Sequence, residues 1–164
     1  MKTIYLAGGC FWGLQKFLDQ FEGVKATEVG YANGPEDAKA PSYEDVCSNS
    51  GHAETVRVEY DENILPLCKL LDYYFMVIDP LSVNRQGNDC GIQYRTGIYY
   101  SDSEAELTAR DYCDKISQNL GKPVAVEVAP LANYYPAEEY HQKYLDKNPH
   151  GYCHIPASYL NMNR

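Results

Sequence analysis

No apolar run in this chain approaches the roughly 18 residues that a membrane-spanning helix requires. The few apolar residues ahead of Cys10 also fall short of the roughly 7–15-residue apolar core of a signal peptide. A cytoplasmic location is therefore expected, with no membrane partner. Positive charge is scarce: 14 Lys and Arg stand against 23 Asp and Glu, for a net charge of −9. Nucleic acids and anionic membranes call for a basic face, so neither is expected as a partner. Six cysteines, at 10, 47, 68, 90, 113 and 153, include no C-x-x-C pair. Zinc sites usually bring two ligands within about two to four residues, so no metal is expected. Without an export signal a disulfide scaffold is not expected either, which leaves free thiols. Internal repeats, low-complexity tracts and clear linkers are missing as well. The 164 residues read as one domain, 1–164, long enough to bury a core.

What is present is a regular alternation of elements. Thr3 to Ala7 is short, apolar and rich in strand formers. Leu14, Phe17, Leu18 and Phe21 then recur at the spacing of an amphipathic helix. A punctuated loop spans Ala32 to Ser42, and Val56, Val58 and Tyr60 alternate as a strand. Leu67, Leu70, Leu71, Tyr74 and Ile78 form a second helical stripe, with Pro66 at its first turn. A long polar loop runs from Asp79 to Tyr94, and a strand from Thr96 to Tyr100. Ser103 and Glu106 fit a capping box for a third helix that Gly121 ends. Val124, Val126 and Val128 read as a strand and Pro136 to Leu145 as a last helix, before an irregular tail. The pattern predicts an α+β fold, a two-layer sandwich with a mixed or antiparallel sheet.

The most informative segment is Gly8-Gly9-Cys10-Phe11-Trp12-Gly13, at the junction of the first strand and helix. A cysteine at a helix N-terminus meets unpaired N–H groups and the positive end of the dipole, which favour a thiolate. An ordinary thiol, with a pKa of about 8.5, is only a few per cent ionised at pH 7. The glycines permit close backbone approach, and Phe11 and Trp12 offer an apolar wall. On this segment alone, a reactive cysteine and a buried structural one remain equally open.

Three further clusters lie in loops or at element ends. Tyr43-Glu44-Asp45-Val46-Cys47 leads to Gly51-His52-Ala53-Glu54. Asn84 to Asp89 runs on to Gln93-Tyr94-Arg95, and Glu138 to Gln142 is followed by Gly151-Tyr152-Cys153. In series, with GCFWG at 9–13, these resemble the peptide methionine sulfoxide reductase A family over nearly the whole chain. The resemblance implies a ferredoxin-like core and reduction of the S epimer of methionine sulfoxide, free or protein-bound, in repair of oxidised proteins. It implies thioredoxin or a similar dithiol as reductant and no cofactor.

By the same resemblance Cys10 matches the nucleophile, and Phe11 and Trp12 match a cage for the substrate methyl group. Tyr43, Glu54 and Tyr94 match the groups that hydrogen-bond the sulfoxide oxygen, and Asp89 a supporting polar residue. Cys153 falls where many members hold a resolving cysteine. Only a short tail without a further cysteine follows, which implies a two-cysteine cycle. Between Cys47 and Gly51 the chain is about one residue shorter than usual for the family.

The chemistry fits these roles. A sulfoxide sulfur is weakly electrophilic, and a thiolate attacks it usefully only if the oxygen gains a proton. A carboxylic acid can supply that proton near neutrality if apolar surroundings raise its pKa above about 4.3. Phenols hold the oxygen without changing charge. The product, a sulfenic acid, condenses with a second thiol.

Taken singly, each residue has a plainer reading. Glu54 fits a solvated carboxylate, Tyr43 and Tyr94 fit packing, and Asp89 fits a turn. His52 and His141 fit local hydrogen bonding as well as general base. Cys47, Cys68, Cys90 and Cys113 read as structural. Two rival functions remain: a cysteine hydrolase with His52 or His141 as base, and a thiol or zinc-binding module.

Overall fold

The computed structural model describes residues 1–35 and 40–162. In chain order the elements are β1 (Lys2–Ala7), α1 (Phe11–Asp19), β2 (Val24–Ala32), α2 (Tyr43–Cys47), β3 (Ala53–Tyr60) and α3 (Leu67–Met76). A small hairpin, β4 (Arg85–Gln86) and β5 (Asp89–Cys90), precedes a 3-10 turn at Ile92–Tyr94. Then follow β6 (Gly97–Tyr100), α4 (Ser103–Leu120), β7 (Glu127–Pro130), β8 (Tyr134–Pro136), a 3-10 turn at Glu139–His141 and α5 (Tyr144–Lys147).

Six strands form one sheet in the order β7-β6-β1-β3-β2-β8. Only β6 and β7 run parallel; the other neighbours are antiparallel. The expectation of an α+β fold with a mixed or antiparallel sheet carrying helices therefore holds, the sheet being mostly antiparallel. Alternation decides the two faces. Ile4, Leu6, Val29, Val56, Val58 and Ile98 turn to the helices and form the main core. Ala7, Ala32, Ala53 and Tyr99 turn to the other face, where Tyr5 and Tyr134 cover them. Both predicted helical stripes are buried, Leu14, Phe17 and Leu18 on α1 and Leu70, Leu71 and Tyr74 on α3. Each such side chain contributes roughly 1.5–3 kcal/mol.

Register explains where the functional residues gather. Ala7, the last residue of β1, pairs with Thr55 on one side and Gly97 on the other. The chain thus leaves β1 toward Cys10 at the same sheet end where β3 begins with Ala53 and Glu54, and where Tyr94 leads into β6.

Several elements differ from the sequence expectation. Strand β2, paired along its length with β3, was not predicted, because Val24–Ala32 mixes exposed polar residues with a core only at its far end. The capping box sits on α2, between Ser42 and Asp45, rather than on α4. On α4 the cap is Asp102, which accepts from the Ala105 N–H at 2.8 Å, while Glu106 accepts from the Tyr100 hydroxyl. The valine strand is confined to β7, beyond Val124 and Val126. No helix spans 136–145. The Gln142 side chain bonds both the N–H and the carbonyl of Val29, and Lys143 adopts φ 53°, which breaks the helical path. Residues 36–39 of the expected 32–42 loop, and the last two of the 1–164 domain, lie outside the described residues.

Candidate active site

Cys10 is the N-cap of α1 and 7% exposed. The preceding Gly9 has φ +79°, a left-handed turn that swings the chain from β1 into the helix and that glycine tolerates without strain. No capping hydrogen bond to the Cys10 sulfur forms, but the nearby Trp12 N–H favours the anion, as the helix terminus should. Burial outweighs it. Desolvation first, and the Glu54 carboxyl second, push the Cys10 thiol well above its ordinary range. Against the thiolate that a helix terminus favours, burial keeps the thiol in its neutral form.

Glu54 is 1% exposed, at the start of β3. Its Oε1 accepts the Phe11 N–H at 3.2 Å, and its Oε2 has no hydrogen-bond partner. Burial pushes its pKa up to about 8 despite the Phe11 N–H. At neutral pH Glu54 is therefore mainly a protonated acid, the state that proton delivery to an oxygen requires.

The aromatic residues around this pair are fixed by hydrogen bonds of their own. Phe11 is fully buried, against Tyr31 and His141. Trp12 is half-buried, stacks on Tyr144 at 3.8 Å and donates its indole N–H to His141 Nδ1 at 2.9 Å. That bond places the proton of neutral His141 on Nε2, and burial lowers the ring's pKa. Tyr43 lies over His141, with ring centroids 4.5 Å apart. Glu138 locks it there, accepting from the Tyr43 N–H at 3.0 Å and the Tyr31 hydroxyl at 2.7 Å. Tyr94 comes from the 3-10 turn at Ile92–Tyr94; burial first, and then its closeness to Glu54, Cys10 and Asp89, raises its phenol above the ordinary range.

The long 79–94 loop is pinned rather than loose. Gln86 accepts from the Asp79 N–H and donates to its carbonyl, and Arg95 donates to the carbonyls of Gly51, Ile92 and Asn33. This presents Asp89 on β5 to the site, where it lies near Tyr152 of the tail. Cys153 lies across the first turn of α1. A Cβ placed on Gly13 would come within 2.7 Å of its sulfur, so the second glycine of the motif is the seat of the second thiol. The structure thus brings Cys10, Phe11, Trp12, Tyr43, Glu54, Asp89, Tyr94 and Cys153 to one end of the sheet.

Of the four other cysteines only Cys113 is buried; Cys47, Cys68 and Cys90 are exposed. Among the described residues no cluster of three or more His, Cys, Asp or Glu is arranged to hold a metal. No described helix is long and apolar enough to cross a membrane. His141 accepts the Trp12 indole N–H at Nδ1 and so carries its proton on Nε2, which leaves the hydrolase reading without a base at that position; His52 pairs Nδ1 with Ser50 and leaves Nε2 without a partner. Sequence reasoning missed three members of the site. Glu138 and Tyr152 lay inside quoted motifs without a role. His154 was passed over, although it directly follows Cys153.

A family model described as peptide methionine sulfoxide reductase matches residues 2–163. A peptide methionine sulfoxide reductase MsrA of Lachnoclostridium phytofermentans is 58% identical over 94% of this chain and 92% of the relative. One of Clostridium acetobutylicum is 53% identical over 98% of each. The crystal structure of reduced Mxr1 from Saccharomyces cerevisiae superposes with a TM-score of 0.87 at 37% identity, covering 93% of this chain and 88% of that one.

Proposed function

We propose, for a chain that belongs to the peptide methionine sulfoxide reductase family and so to the oxidoreductases that reduce methionine sulfoxide, a two-cysteine cycle selective for the S epimer. The observation that carries this reading is Glu54, a buried acid beside Cys10 with one oxygen engaged and the other bare. The sulfoxide oxygen would lie between Glu54 Oε2 and the phenols of Tyr43 and Tyr94, with the methyl group against Phe11 and Trp12. With the oxygen held by three donors, the methyl group against one apolar wall and Cys10 approaching the sulfur from a fixed side, the three substituents of a pyramidal sulfur can be seated in one configuration only.

Glu54 gives its proton to the sulfoxide oxygen and recovers one from Cys10 as the sulfur attacks. The substrate sulfur gains two electrons and leaves as the thioether, and the Cys10 sulfur loses two and keeps the oxygen as a sulfenic acid. Because the proton passes within the pair, a neutral thiol and a protonated carboxyl are the competent starting state. Cys153 then displaces the oxygen as water and forms a Cys10–Cys153 disulfide. A surface cleft lined by Lys16, Leu145, Asp146, Gly151 and Cys153 supports access for thioredoxin or a similar dithiol. Free and protein-bound methionine S-sulfoxide would both be substrates, in cytoplasmic protein repair. We also read the core as ferredoxin-like, on the order β6-β1-β3-β2 of its central strands.

The test is reduction of the two epimers of a methionine-sulfoxide peptide with dithiothreitol, followed by chromatography. Turnover confined to the S epimer is expected. Equal turnover of both would overturn the reading.

A further inference from the structure

Residues 152–155 cross the entrance to α1 as a strap, and both glycines flanking Cys10 receive it. Cys153 turns its sulfur to Gly13, while His154 lays its ring edge on Gly9, where an added Cβ would stand 3.0 Å from both Cε1 and Nε2. The His154 side chain is only 6% exposed, yet neither ring nitrogen has a hydrogen-bond partner. A buried imidazole without partners is costly to keep in a structural role. Asp89 Oδ2, also unpartnered, stands 4.0 Å from Nδ1. With Nδ1 toward the carboxylate, Nε2 faces the Cys10 end of the strap.

We propose that His154, oriented by Asp89, accepts the proton of Cys153 while the disulfide forms. The inference rests on the two-cysteine reading above. In that step the S–O bond of the Cys10 sulfenic acid breaks and the Cys10–Cys153 bond forms. The Cys153 sulfur supplies the electron pair of the new bond, so that it gives up one electron formally, the Cys10 sulfur regains one of the two it had lost, and both end at the disulfide level. The Cys153 proton passes through Nε2 to the departing oxygen, which leaves as water, so no net proton is taken up or released.

Burial lowers the pKa of His154 below its ordinary value while Asp89 opposes the shift, so the ring is neutral and able to accept near pH 7. The other titratable groups around it are Cys10 with Glu54 behind it, Tyr94 beside Asp89, and Tyr152 and Cys153 of the strap itself. Arg85 on the neighbouring hairpin is exposed and donates its Nε to the Gly87 carbonyl.

The experiment is a single turnover of the whole chain with one equivalent of a methionine-sulfoxide peptide and no reductant. Methionine, trapped sulfenic acid at Cys10 and the Cys10–Cys153 bridge are each followed against pH. In the wild type, bridge formation should rise with pH to a plateau through one inflection below the ordinary histidine range. In His154→Gln it should slow on the order of 10²-fold, lose that inflection and leave sulfenic acid to accumulate. His154→Ala should regain rate when imidazole is added. A slowed bridge that keeps the wild-type pH profile, or no response to imidazole, would mean a merely structural histidine and overturn the proposal. If the wild type forms no methionine, the sulfoxide-reductase reading itself falls, and this inference with it. Methionine formed in one burst with an unaltered bridge in His154→Gln would sink the inference alone.

Discussion

The two thiols of this site are held in opposite ways. Cys10 caps a helix set on a six-stranded sheet, is 7% exposed, and shares its end of the sheet with a carboxyl that is 1% exposed. Cys153 rides on a strap outside the sheet, is half-buried, and is tied locally by the Ile155 N–H at 3.4 Å. The first region suits a step that depends on an acid with a shifted pKa and on donors placed for one oxygen. Rigid elements supply that. The second suits a step in which a thiol must reach first an internal sulfur and then an external dithiol. The division of chemistry follows the division between sheet-borne elements and the strap.

Mutations should separate the two regions, the largest effect coming from the first. Cys10→Ser should abolish turnover with any reductant, because an alcohol is neither ionised nor nucleophilic enough at neutral pH. Residual activity measurable by peptide chromatography would break the assignment. Glu54→Gln keeps the shape but cannot give a proton, and should slow single-turnover reduction on the order of 10²–10⁴-fold. A rate equal to wild type in rapid quench would remove Glu54 as the acid.

Variants of the strap should spare the first turnover. Cys153→Ser should still reduce one equivalent of sulfoxide but lose most thioredoxin-supported cycling. Peptide mapping that finds Cys10 bridged to Cys47 or Cys90 in the wild type would contradict the pairing. Gly13→Ala sets a methyl group where the Cys153 sulfur lies, at 2.7 Å. It should slow bridge formation, roughly tenfold, an effect equal to about 1.4 kcal/mol. An unchanged rate would show that the strap re-seats freely. The smallest effect concerns the cage. Trp12→Phe removes the indole donor to His141 Nδ1 and should cost about 0.5–1.5 kcal/mol of stability in denaturant titration.

The two regions also differed in legibility. The helix stripes of α1 and α3, the β3 strand and the junction around Cys10 could be read because local periodicity and burial agree there. The part from Tyr134 onward could not. Its backbone is organised by distant side chains, with Gln142 serving as a partner for Val29 and the Lys143 N–H donating to Gln15. Such contacts leave no periodic trace. The site residues were recognised through motif spacing in series, since no single residue identified itself. The raised pKa of Glu54 was anticipated from its apolar neighbours, but the neutral Cys10 thiol was not. A helix terminus favours a thiolate, and only the burial of Cys10 beside Glu54 shows that the opposite effect prevails. His154 was missed because its significance comes from Gly9 and Asp89, both remote in sequence.

The central claim is that a protonated Glu54 and a neutral Cys10 form the competent pair. The most direct test is the pH dependence of single-turnover reduction of the S epimer by the wild type, in rapid quench without reductant. A folded pKa of about 8, raised from 4.5, keeps Glu54 protonated at neutrality and ionises it as pH rises. The account therefore predicts a rate that is flat through neutral pH and falls through about pH 8, with no such fall in Glu54→Gln. A rate that climbs with pH across that range would mean that a resting thiolate limits the reaction, and would contradict it.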